Sequence, residues 1–396
     1  MPSLPKALET SSIAKAAKDA VSPKYFRSAP ERITAMLRAK LTWYYHPGEK
    51  LPTEADLSEY FQVSRPTIRK ALIDLEAEGR LRSRQGSGRF ADDNLPRPVG
   101  SRIAIICEDA PEGPSWFLDP REPQQLAGMR EGLSEAGYDV NIHFVNHRLR
   151  ESAGEWAKVR WPDVLDFREV RGLLVFWRFG HRRLHVLDSL REYAPLVAAG
   201  AGTAPGRGAT DLDVASGVFQ SFNHLLALGH RRIAYVGAGP IPPTNQQRHI
   251  AVRLVAQSAP KGENFRCLRF EPETVSHEEG ARLADLVLDS REAPTAAHVT
   301  ARELGEGFYQ RLRQRDLRVP EDFSLVVEAE DAKDFEWIPP DATRVSYDYG
   351  MLGKRAAELL MRIIAEPRKL QNVDPAPTAL VIGSTTSPAP STKMRD

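Results

Sequence analysis

The chain has 396 residues, 41% of them hydrophobic and 27% charged, with a formal net charge of +1, so it is long enough for two or three globular domains and is not disordered throughout. No apolar run approaches the roughly 20 residues of a bilayer-spanning helix, so we expect no membrane partner. The N-terminus has no apolar signal segment, and two cysteines are too few for a disulfide framework or a Cys-rich zinc site, so we predict a protein of the reducing cytoplasm.

The charge is unevenly distributed along the chain. Residues 1–93 contain 16 Lys and Arg against 12 Asp and Glu, whereas residues 94–396 contain 38 against 41. A basic segment in front of a slightly acidic one is typical of a small polyanion-binding module joined to a larger module that binds something else. An ordinary solvated surface with charged residues would give the same counts. The sequence motifs are therefore needed to distinguish such a surface from a polyanion-binding module.

The N-terminal part begins with a tail over residues 1–24, rich in Ala, Ser and Lys, that we expect to be flexible. Residues 25–93 form the first patterned region. Apolar residues recur at helical spacing between Ile33 and Leu41, and the pair Pro47-Gly48 follows them. The first element of this region is therefore predicted to be a helix that ends before the proline.

Two more helices and a hairpin complete this region. Thr53 and Ser64 are suitable N-caps for the second and third helices, and Pro66 suits the first turn of the third. Gly79 ends the third helix, and the turn Gln85-Gly86-Ser87-Gly88 joins two short strands. Three helices followed by a glycine-tipped hairpin are typical of a winged helix-turn-helix.

Candidate DNA-contacting residues lie where such a domain meets the duplex. A recognition helix enters the major groove with its N-terminal residues leading, and arginine can bind a guanine edge through two hydrogen bonds. Hydroxyl side chains suit phosphate oxygens, and glycines let the backbone of the wing approach the DNA closely. The candidates are Thr53, Ser64, Arg65, Thr67, Arg69, Arg84, Gly86 and Gly88.

Residues 25–93 resemble the GntR-type winged helix-turn-helix. The resemblance rests on Pro47-Gly48-x-x-Leu51-Pro52-Thr53-Glu54, Val63-Ser64-Arg65-Pro66-Thr67-Ile68-Arg69-x-Ala71-Leu72, Glu78-Gly79 and Gln85-Gly86-x-Gly88. In that family the Ser-Arg-x-Thr-x-Arg positions and the wing tip touch operator DNA, which implies these roles for the matching residues here. A basic residue often follows the helix-opening Glu in relatives, and Ala55 in this chain removes one such contact. A winged helix that serves only as a protein-contact module is the alternative.

The rest of the chain has a different pattern. Residues 94–101 contain two prolines and a glycine and are predicted to be a linker. Short apolar strands then alternate with helical stretches. Strands are predicted at 103–107, 140–145, 172–177, 196–199 and 232–237, and helices at 123–136, 182–192 and 214–228. This alternation predicts a parallel, doubly wound α/β sheet, which makes the whole chain mainly α/β.

Residues 102–386 resemble the ligand-binding domain of the LacI family, which is related to periplasmic sugar-binding proteins. The resemblance rests on motifs at 128–132, 213–217, 228–237, 294–296, 319–324, 353–360 and 383–385. It implies a two-lobed, doubly wound parallel α/β domain of the periplasmic-binding-protein-like type I, with a ligand in its cleft. The proline-containing segment 387–396 is predicted to be a flexible tail. A GntR-type head on such a domain is a known arrangement in bacterial sugar-responsive repressors. The resemblance also implies a homodimer that binds a double-stranded DNA operator.

Candidate ligand contacts combine planar hydrogen-bonding groups with aromatic rings, as sugar sites do. Asp213 and Arg248 stand at family positions that often contact ligand, and three aromatic residues follow strand-like segments. For each aromatic residue, ordinary packing within a lobe is the alternative. The candidates are Trp116, Phe117, Trp177, Asp213, Arg248, Arg302 and Glu330.

Two departures from the family pattern affect the expected effector. Relatives carry Asn-Asp where this chain has Ala301-Arg302, and Gly-x-Asp-Asp in the region where it has residues 327–331. An arginine in place of an acid favours an acidic ligand such as a uronate or a sugar phosphate. The alternatives are a degenerate pocket without ligand, or an arginine that is paired internally. The internal partners considered for Arg302 are Glu328, Glu330 and Asp331.

No catalytic constellation is visible in the sequence. The ten histidines lack the spacing of a metal site, there is no phosphate-binding P-loop, and no lysine context indicates a pyridoxal phosphate enzyme. We therefore predict a non-enzyme without cofactor or metal: a cytoplasmic, nucleoid-associated bacterial transcription regulator, in most relatives a repressor, controlled by a sugar-like effector. The alternatives are a regulator whose C-terminal domain only dimerises, or an enzyme that uses that domain.

Overall fold

The computed structural model describes most of the chain and shows three groups of elements. The described residues are 29–93, 102–108, 121–145, 165, 167, 170–176, 187, 190–191, 193–200, 208–237, 243–258, 264–329, 335–367, 369 and 371–390. No helix among them is long and apolar enough to cross a lipid bilayer.

The N-terminal domain packs three helices around an aliphatic core. The helices are α1 (Ala29–Tyr44), α2 (Glu54–Phe61) and α3 (Arg65–Ala77). Ile68, Leu72 and Leu75 recur every three or four residues of α3, and each is at most 1% exposed. This buried stripe leaves the opposite face of α3, with Arg65 and Arg69, exposed to solvent.

A two-stranded antiparallel ribbon, β1 (Leu81–Arg84) and β2 (Gly88–Ala91), follows α3. Gly86 and Gly88 have φ angles of +75° and +101°, a region in which a side chain would be strained. The turn between the strands therefore depends on its glycines. The predicted winged helix-turn-helix is confirmed.

The first lobe of the C-terminal part is built on a five-stranded parallel sheet in the order β4-β3-β5-β6-β7. Its elements are β3 (Arg102–Glu108), α4 (Arg121–Glu135), β4 (Asp139–Val145), β5 (Val170–Phe176), β6 (Leu196–Ala199) and β7 (Ala209–Thr210). The central strands β3 and β5 are almost continuously apolar, because helices and loops cover both faces of such a sheet. Ile103, Ile105 and Leu174 are fully buried in one layer of side chains.

The second lobe has a six-stranded sheet in the order β13-β12-β11-β10-β8-β9, in which only β13 is antiparallel. Its elements are α5 (Val214–Ala227), β8 (Arg232–Val236), α6 (Pro243–Ser258), β9 (Arg266–Phe270), α7 (His277–Leu288), β10 (Ala296–Val299), α8 (Arg302–Gln314), β11 (Ser324–Glu328), β12 (Arg344–Tyr347) and β13 (Thr378–Val381). The structure explains the glycine in the motif at 213–217. A Cβ atom at Gly217 would lie 2.5 Å from Val345 Cγ1, so a larger residue would clash there. The predicted doubly wound α/β architecture is confirmed.

The backbone passes between the two lobes three times. The first passage leads from β7 to α5, and the second from β12 to α9 (Tyr349–Ala365), which packs on the first lobe. At the α4–α9 contact, a Cβ atom on Gly353 would lie only 2.1 Å from the carbonyl oxygen of Gln125. The third passage runs beside the first: Asp213 N–H donates to Ala376 O at 2.8 Å, and Ala376 N–H donates to Asp211 O at 2.9 Å.

The last described segment corrects the prediction of a flexible tail from residue 387 onward. Ser387 Oγ donates to the carbonyl oxygen of Pro320 at 2.9 Å, and Ala389 N–H donates to that of Leu228 at 2.8 Å. The ring of buried His230 lies between Thr295 Oγ1, Ser324 Oγ and the carbonyl oxygen of Ser387. Hydrogen bonds to three separate segments hold residues 387–390 on the second lobe, and residues 391–396 lie outside the described part.

Candidate DNA-binding surface and ligand site

Both predicted N-caps form in the N-terminal domain. Thr53 Oγ1 accepts a hydrogen bond from Asp56 N–H at 3.2 Å, while Asp56 Oδ2 accepts one from Thr53 N–H at 2.9 Å. Ser64 Oγ accepts from Thr67 N–H at 3.4 Å and lies 2.8 Å from Thr67 Oγ1. The hydroxyls of Thr53, Ser64 and Thr67 therefore lie at helix N-termini, where backbone N–H groups favour a phosphate.

The two arginines of the recognition helix differ in their surroundings. Arg65 at the first position of α3 is exposed and forms no ion pair with the described residues. Arg69 is 61% exposed, and its Nη2 and Nε donate to Glu54 Oε2 at 2.9 and 3.1 Å. Arg65 is thus available to a base edge, whereas Arg69 has an internal acceptor that DNA would have to replace.

The wing places the remaining predicted contacts on one exposed ribbon. Gln85, Gly86 and Gly88 are exposed, and the Arg84 guanidinium lies 4.7 Å from the ring centroid of Phe90. Sequence reasoning missed Lys50, an exposed residue whose Nζ would lie 4.0 Å from a Cβ atom on Gly88. Its position within the motif Gly48-x-x-Leu51, directly before Leu51, was the signal that could have identified it.

Glu54 was also missed, although it connects the recognition helix to the wing. Besides Arg69, it accepts a hydrogen bond from Arg89 Nη1 at 2.9 Å, and Arg89 Nε donates to Glu76 Oε1 at 2.7 Å. The hydrogen bond from Arg69 lowers the pKa of Glu54, and the bond from Arg89 adds to this effect against the opposing effect of burial. Glu54 is therefore ionised whenever the protein is near neutral pH.

In the C-terminal part, Trp116, Phe117, Trp177 and Glu330 lie outside the described residues. Asp213 is the N-cap of α5, where its Oδ1 accepts a hydrogen bond from Ser216 N–H at 3.0 Å. Its carbonyl oxygen accepts one from Thr378 Oγ1 at 2.7 Å. The structure thus places Asp213 where two of the passages between the lobes run side by side.

Arg248 belongs to a buried polar cluster centred on Glu328. Its Nε lies 3.0 and 3.1 Å from the two carboxylate oxygens, and its Nη2 lies 2.6 Å from Oε2. Tyr347 Oη also donates to Glu328, and His298 Nε2 lies 3.0 Å from Glu328 Oε1. Ser221 Oγ lies 2.9 Å from His298 Nδ1, so His298 can donate to the carboxylate through Nε2 and accept from the hydroxyl.

The cluster lies at the edge of the sheet where ligands bind in open parallel α/β folds. Glu328 and Tyr347 are the last residues of β11 and β12, and His298 is the next to last residue of β10. Burial alone would raise the pKa of Glu328, but the charge of Arg248 and the hydrogen bond from His298 outweigh it and lower this pKa to about 2. The carboxylate therefore stays ionised although it is 2% exposed.

Arg302 has two carboxylates of its own helix close to it, while Glu330 and Asp331, two of the partners expected for it, lie outside the described residues. Its Nη2 lies 3.3 Å from Glu303 Oε1, and its Nη1 lies 4.0 Å from Glu306 Oε1. The expectation that Glu328 could be its partner is wrong, because Glu328 is bound to Arg248. The structure brings Arg248, His298, Glu328 and Tyr347 together. Of these, His298 and Tyr347 were not identified from the sequence. No cluster of three metal-ligating side chains occurs among the described residues.

Comparison with sequence families identifies both parts of the chain. Residues 30–90 match bacterial regulatory proteins of the gntR family, and residues 222–386 match the periplasmic binding protein-like domain. The arabinose metabolism transcriptional repressor of Geobacillus stearothermophilus is 26% identical over 364 residues, which cover 88% of this chain and 93% of that protein. The resemblance extends over both domains of the relative.

Solved structures show the same fold at low sequence identity. A LacI family transcriptional regulator from Bifidobacterium animalis subsp. lactis superposes with a TM-score of 0.56 at 20% identity and covers 73% of this chain and 98% of that chain. A complex of the transcriptional regulator CelR with cellobiose gives a TM-score of 0.57 at 19% identity and covers 85% of this chain and 100% of that chain. The predicted periplasmic-binding-protein-like fold is thereby confirmed.

Proposed function

Because this chain is a transcription regulator that joins a gntR-family DNA-binding domain to a LacI-like ligand-binding domain, we propose that a small molecule in the cleft controls its binding to an operator. The observation that carries the proposal is the presence, in one chain, of an exposed recognition helix led by Arg65 and a polar cluster at the ligand edge of an α/β sheet. The regulator bound to its operator is proposed to repress transcription, by analogy with the arabinose metabolism repressor. Its site of action would be the bacterial nucleoid in the cytoplasm.

The DNA-binding surface is proposed to comprise both the recognition helix and the wing. Arg65 would read a base edge, because it is exposed at the end of the helix that leads into the groove. The capping hydroxyls and the glycine-tipped turn would contact phosphates and position the helix. The proposed contacts are Thr53, Ser64, Arg65, Thr67, Arg69, Arg84, Gln85, Gly86 and Gly88, with Lys50 added.

The effector is proposed to be sugar-like and to contact Asp213 and Arg248. The relatives named for arabinose metabolism and for a cellobiose complex support a carbohydrate. Asp213 lies at the first and third passages between the lobes, and Tyr347 of the buried cluster is directly followed by the second. A ligand that closes the cleft would therefore act on all three connections, and such coupling is expected to be worth about 1–3 kcal/mol.

The regulator is proposed to act as a homodimer. One winged helix covers only a half-site, so two copies would read a pseudo-palindromic operator with matching two-fold symmetry. Light scattering of the full chain at micromolar concentration should give the mass of a dimer, and footprinting should show two half-sites. A monomer that protects a single half-site would contradict this part of the proposal.

The function can be tested with an operator selected in vitro from random duplexes. The full chain should bind the selected duplex at least about a thousandfold more tightly than a scrambled one at the same salt concentration. Addition of the correct sugar should then change the operator affinity by roughly 5- to 150-fold. Equal affinity for the selected and scrambled duplexes would contradict the proposal.

A second candidate function is a regulator whose C-terminal part binds no ligand and only dimerises. It is favoured by one observation: both arginines expected at the ligand already have carboxylate partners, Arg248 with Glu328 and Arg302 with Glu303. In that case the operator affinity would not respond to any sugar, while binding to the selected duplex would remain.

A further inference from the structure

We propose that the effector is an uncharged polyhydroxy compound and that Glu328 is the residue that excludes acidic ligands from the cleft. This inference rests on the proposed function, because it concerns the ligand of the same cleft. It replaces the sequence-based expectation of an acidic sugar.

Arg248 is held by Glu328 in a close, buried ion pair. Three nitrogen-to-oxygen distances of 2.6 to 3.1 Å join Arg248 to both oxygens of Glu328. The side chains of Arg248 and Glu328 are 12% and 1% exposed. An arginine that is already neutralised by a bidentate carboxylate in a buried site has no uncompensated charge to offer an anionic ligand.

A second negative charge beside Glu328 would be costly. The other described groups that face the carboxylate are His298 and Tyr347, and both give it hydrogen bonds. Glu328 remains ionised, because Arg248 holds its pKa near 2 against the effect of burial. A ligand carboxylate beside Arg248 would therefore stand close to a second, fixed carboxylate in a region that water screens poorly.

Arg302 is the cation on which the expectation of an acidic ligand was based. Its side chain is 33% exposed and has Glu303 and Glu306 within 4.0 Å on its own helix. These two carboxylates compensate much of its charge, which makes Arg302 a weaker partner for an anionic ligand.

A polar cluster of this kind is compatible with hydroxyl groups. A neutral hydroxyl can donate or accept a hydrogen bond without adding a charge, so a polyhydroxy ligand can bind beside the cluster without changing the charge of the site. Tyr235, one strand away from His298 on β8, has a hydroxyl that is buried without a hydrogen-bond partner among the described residues. This hydroxyl is a further buried group that a neutral ligand could satisfy.

Matched pairs of neutral and acidic sugars test the inference on the unmodified full chain. We would titrate D-galactose against D-galacturonate, D-glucose against D-glucuronate, and L-arabinose against L-arabinonate, by calorimetry and by melting temperature at pH 7.5. At least one neutral member should bind, and its acidic partner should bind at least about tenfold more weakly. An acid that binds as well as its neutral partner would overturn the inference while leaving effector control intact.

The variant Glu328→Gln keeps the size of the side chain and removes its charge. In this variant the preference should shift towards the acid by at least about tenfold, because the fixed negative charge beside Arg248 is then gone. Glu303→Gln, which removes the 42% exposed partner of Arg302, is the matched control and should leave the preference unchanged. An unchanged preference in a folded Glu328→Gln variant, as judged by circular dichroism, would overturn the role of Glu328.

Effector control and the exclusion of acidic ligands are contradicted by different results. If no neutral or acidic sugar binds and operator affinity never responds, effector control fails together with this inference. If acids alone bind and change the operator affinity, only this inference fails. The titration of the unmodified chain decides between these results even if the variant does not fold.

Discussion

The Glu54 carboxylate at the start of α2 accepts two hydrogen bonds from the Arg69 guanidinium of α3, with Nη2 2.9 Å and Nε 3.1 Å from Oε2. Arg89 of the wing strand β2 donates to the other oxygen of the same carboxylate at 2.9 Å. One acid thus fixes the recognition helix relative to the wing. It also competes with DNA phosphates for the two arginines that it binds.

Replacing this acid should change the electrostatics of DNA binding. In Glu54→Gln, we expect binding to random duplex to become stronger and its salt dependence steeper by about 0.9 log units per log unit of salt, because Arg69 becomes free to neutralise one more phosphate. Anisotropy titrations at several salt concentrations would measure both quantities. Weaker binding to random and selected duplexes alike would mean instead that Glu54 mainly holds Arg69 in position.

Replacing Arg65, the first residue of the recognition helix, should reduce the preference for the selected operator over random DNA. Arg65→Ala should weaken binding to the selected operator by roughly 1–3 kcal/mol and change binding to random DNA far less, if the side chain reads a base. Competition titrations with both duplexes would separate the two effects. The matched control is Arg266→Ala, an exposed arginine of the second lobe, which should change neither affinity. Equal losses on both duplexes would make Arg65 a phosphate contact.

The buried ion pair should be costly to break from one side. Arg248→Met should lower the free energy of unfolding by about 3–5 kcal/mol, because it leaves the buried carboxylate of Glu328 without its counter-ion. The double variant with Glu328→Met should recover part of this loss, since both charges are then gone. Chemical denaturation would measure the free energy of unfolding of the two single variants and of the double variant. Arg266→Met, in the exposed pair with Glu292, is the control and should change this free energy little. Additive effects of the two substitutions would show that the pair is not coupled.

His230 should make stability depend on pH. Burial lowers its pKa, against the opposing effect of the hydrogen bond to Ser387 O, so the folded protein resists the proton that the unfolded chain accepts near pH 6.5. Its contribution is therefore complete above about pH 6.5 and decreases as the pH falls below it, by at most about 1.4 kcal/mol per pH unit. Melting temperatures of His230→Asn should show a shallower decrease between pH 6.5 and 5 than the unmodified chain. The exposed His46→Asn should keep the original slope, and a parallel curve for His230→Asn would contradict the prediction.

The local features of the DNA-binding domain could be predicted from the sequence because their causes are local. A capping hydroxyl and its acceptor lie within three residues, as Thr53 and Ser64 show, and a turn with positive φ angles needs glycine at Gly86 and Gly88. The alternation of strands and helices likewise predicted the doubly wound sheets. Helical spacing could also have identified Glu306 as a neighbour of Arg302, since the two residues are four positions apart.

The partners of buried charges could not be predicted in the same way. Arg248 and Glu328 are 80 residues apart, and they meet only because α6 packs against the sheet that contains β11. Glu54 and Arg69 are 15 residues apart and depend on the angle between two helices. A pattern of residue types shows that charges are present, but their pairing is determined by the packing of elements distant in sequence.

The second passage between the lobes has a consequence for how the chain folds during synthesis. Helix α9, which begins only at Tyr349, supplies Leu360 and Ile364 beside Gly172 of β5, and Gly350 in its first turn lies against Gly128 of α4. The core of the first lobe is therefore incomplete until the ribosome has made nearly the whole chain. The N-terminal domain has all of its core residues by Ala91 and can fold as soon as it emerges. A nascent chain would accordingly carry a finished DNA-binding head while both lobes are still exposed to chaperones.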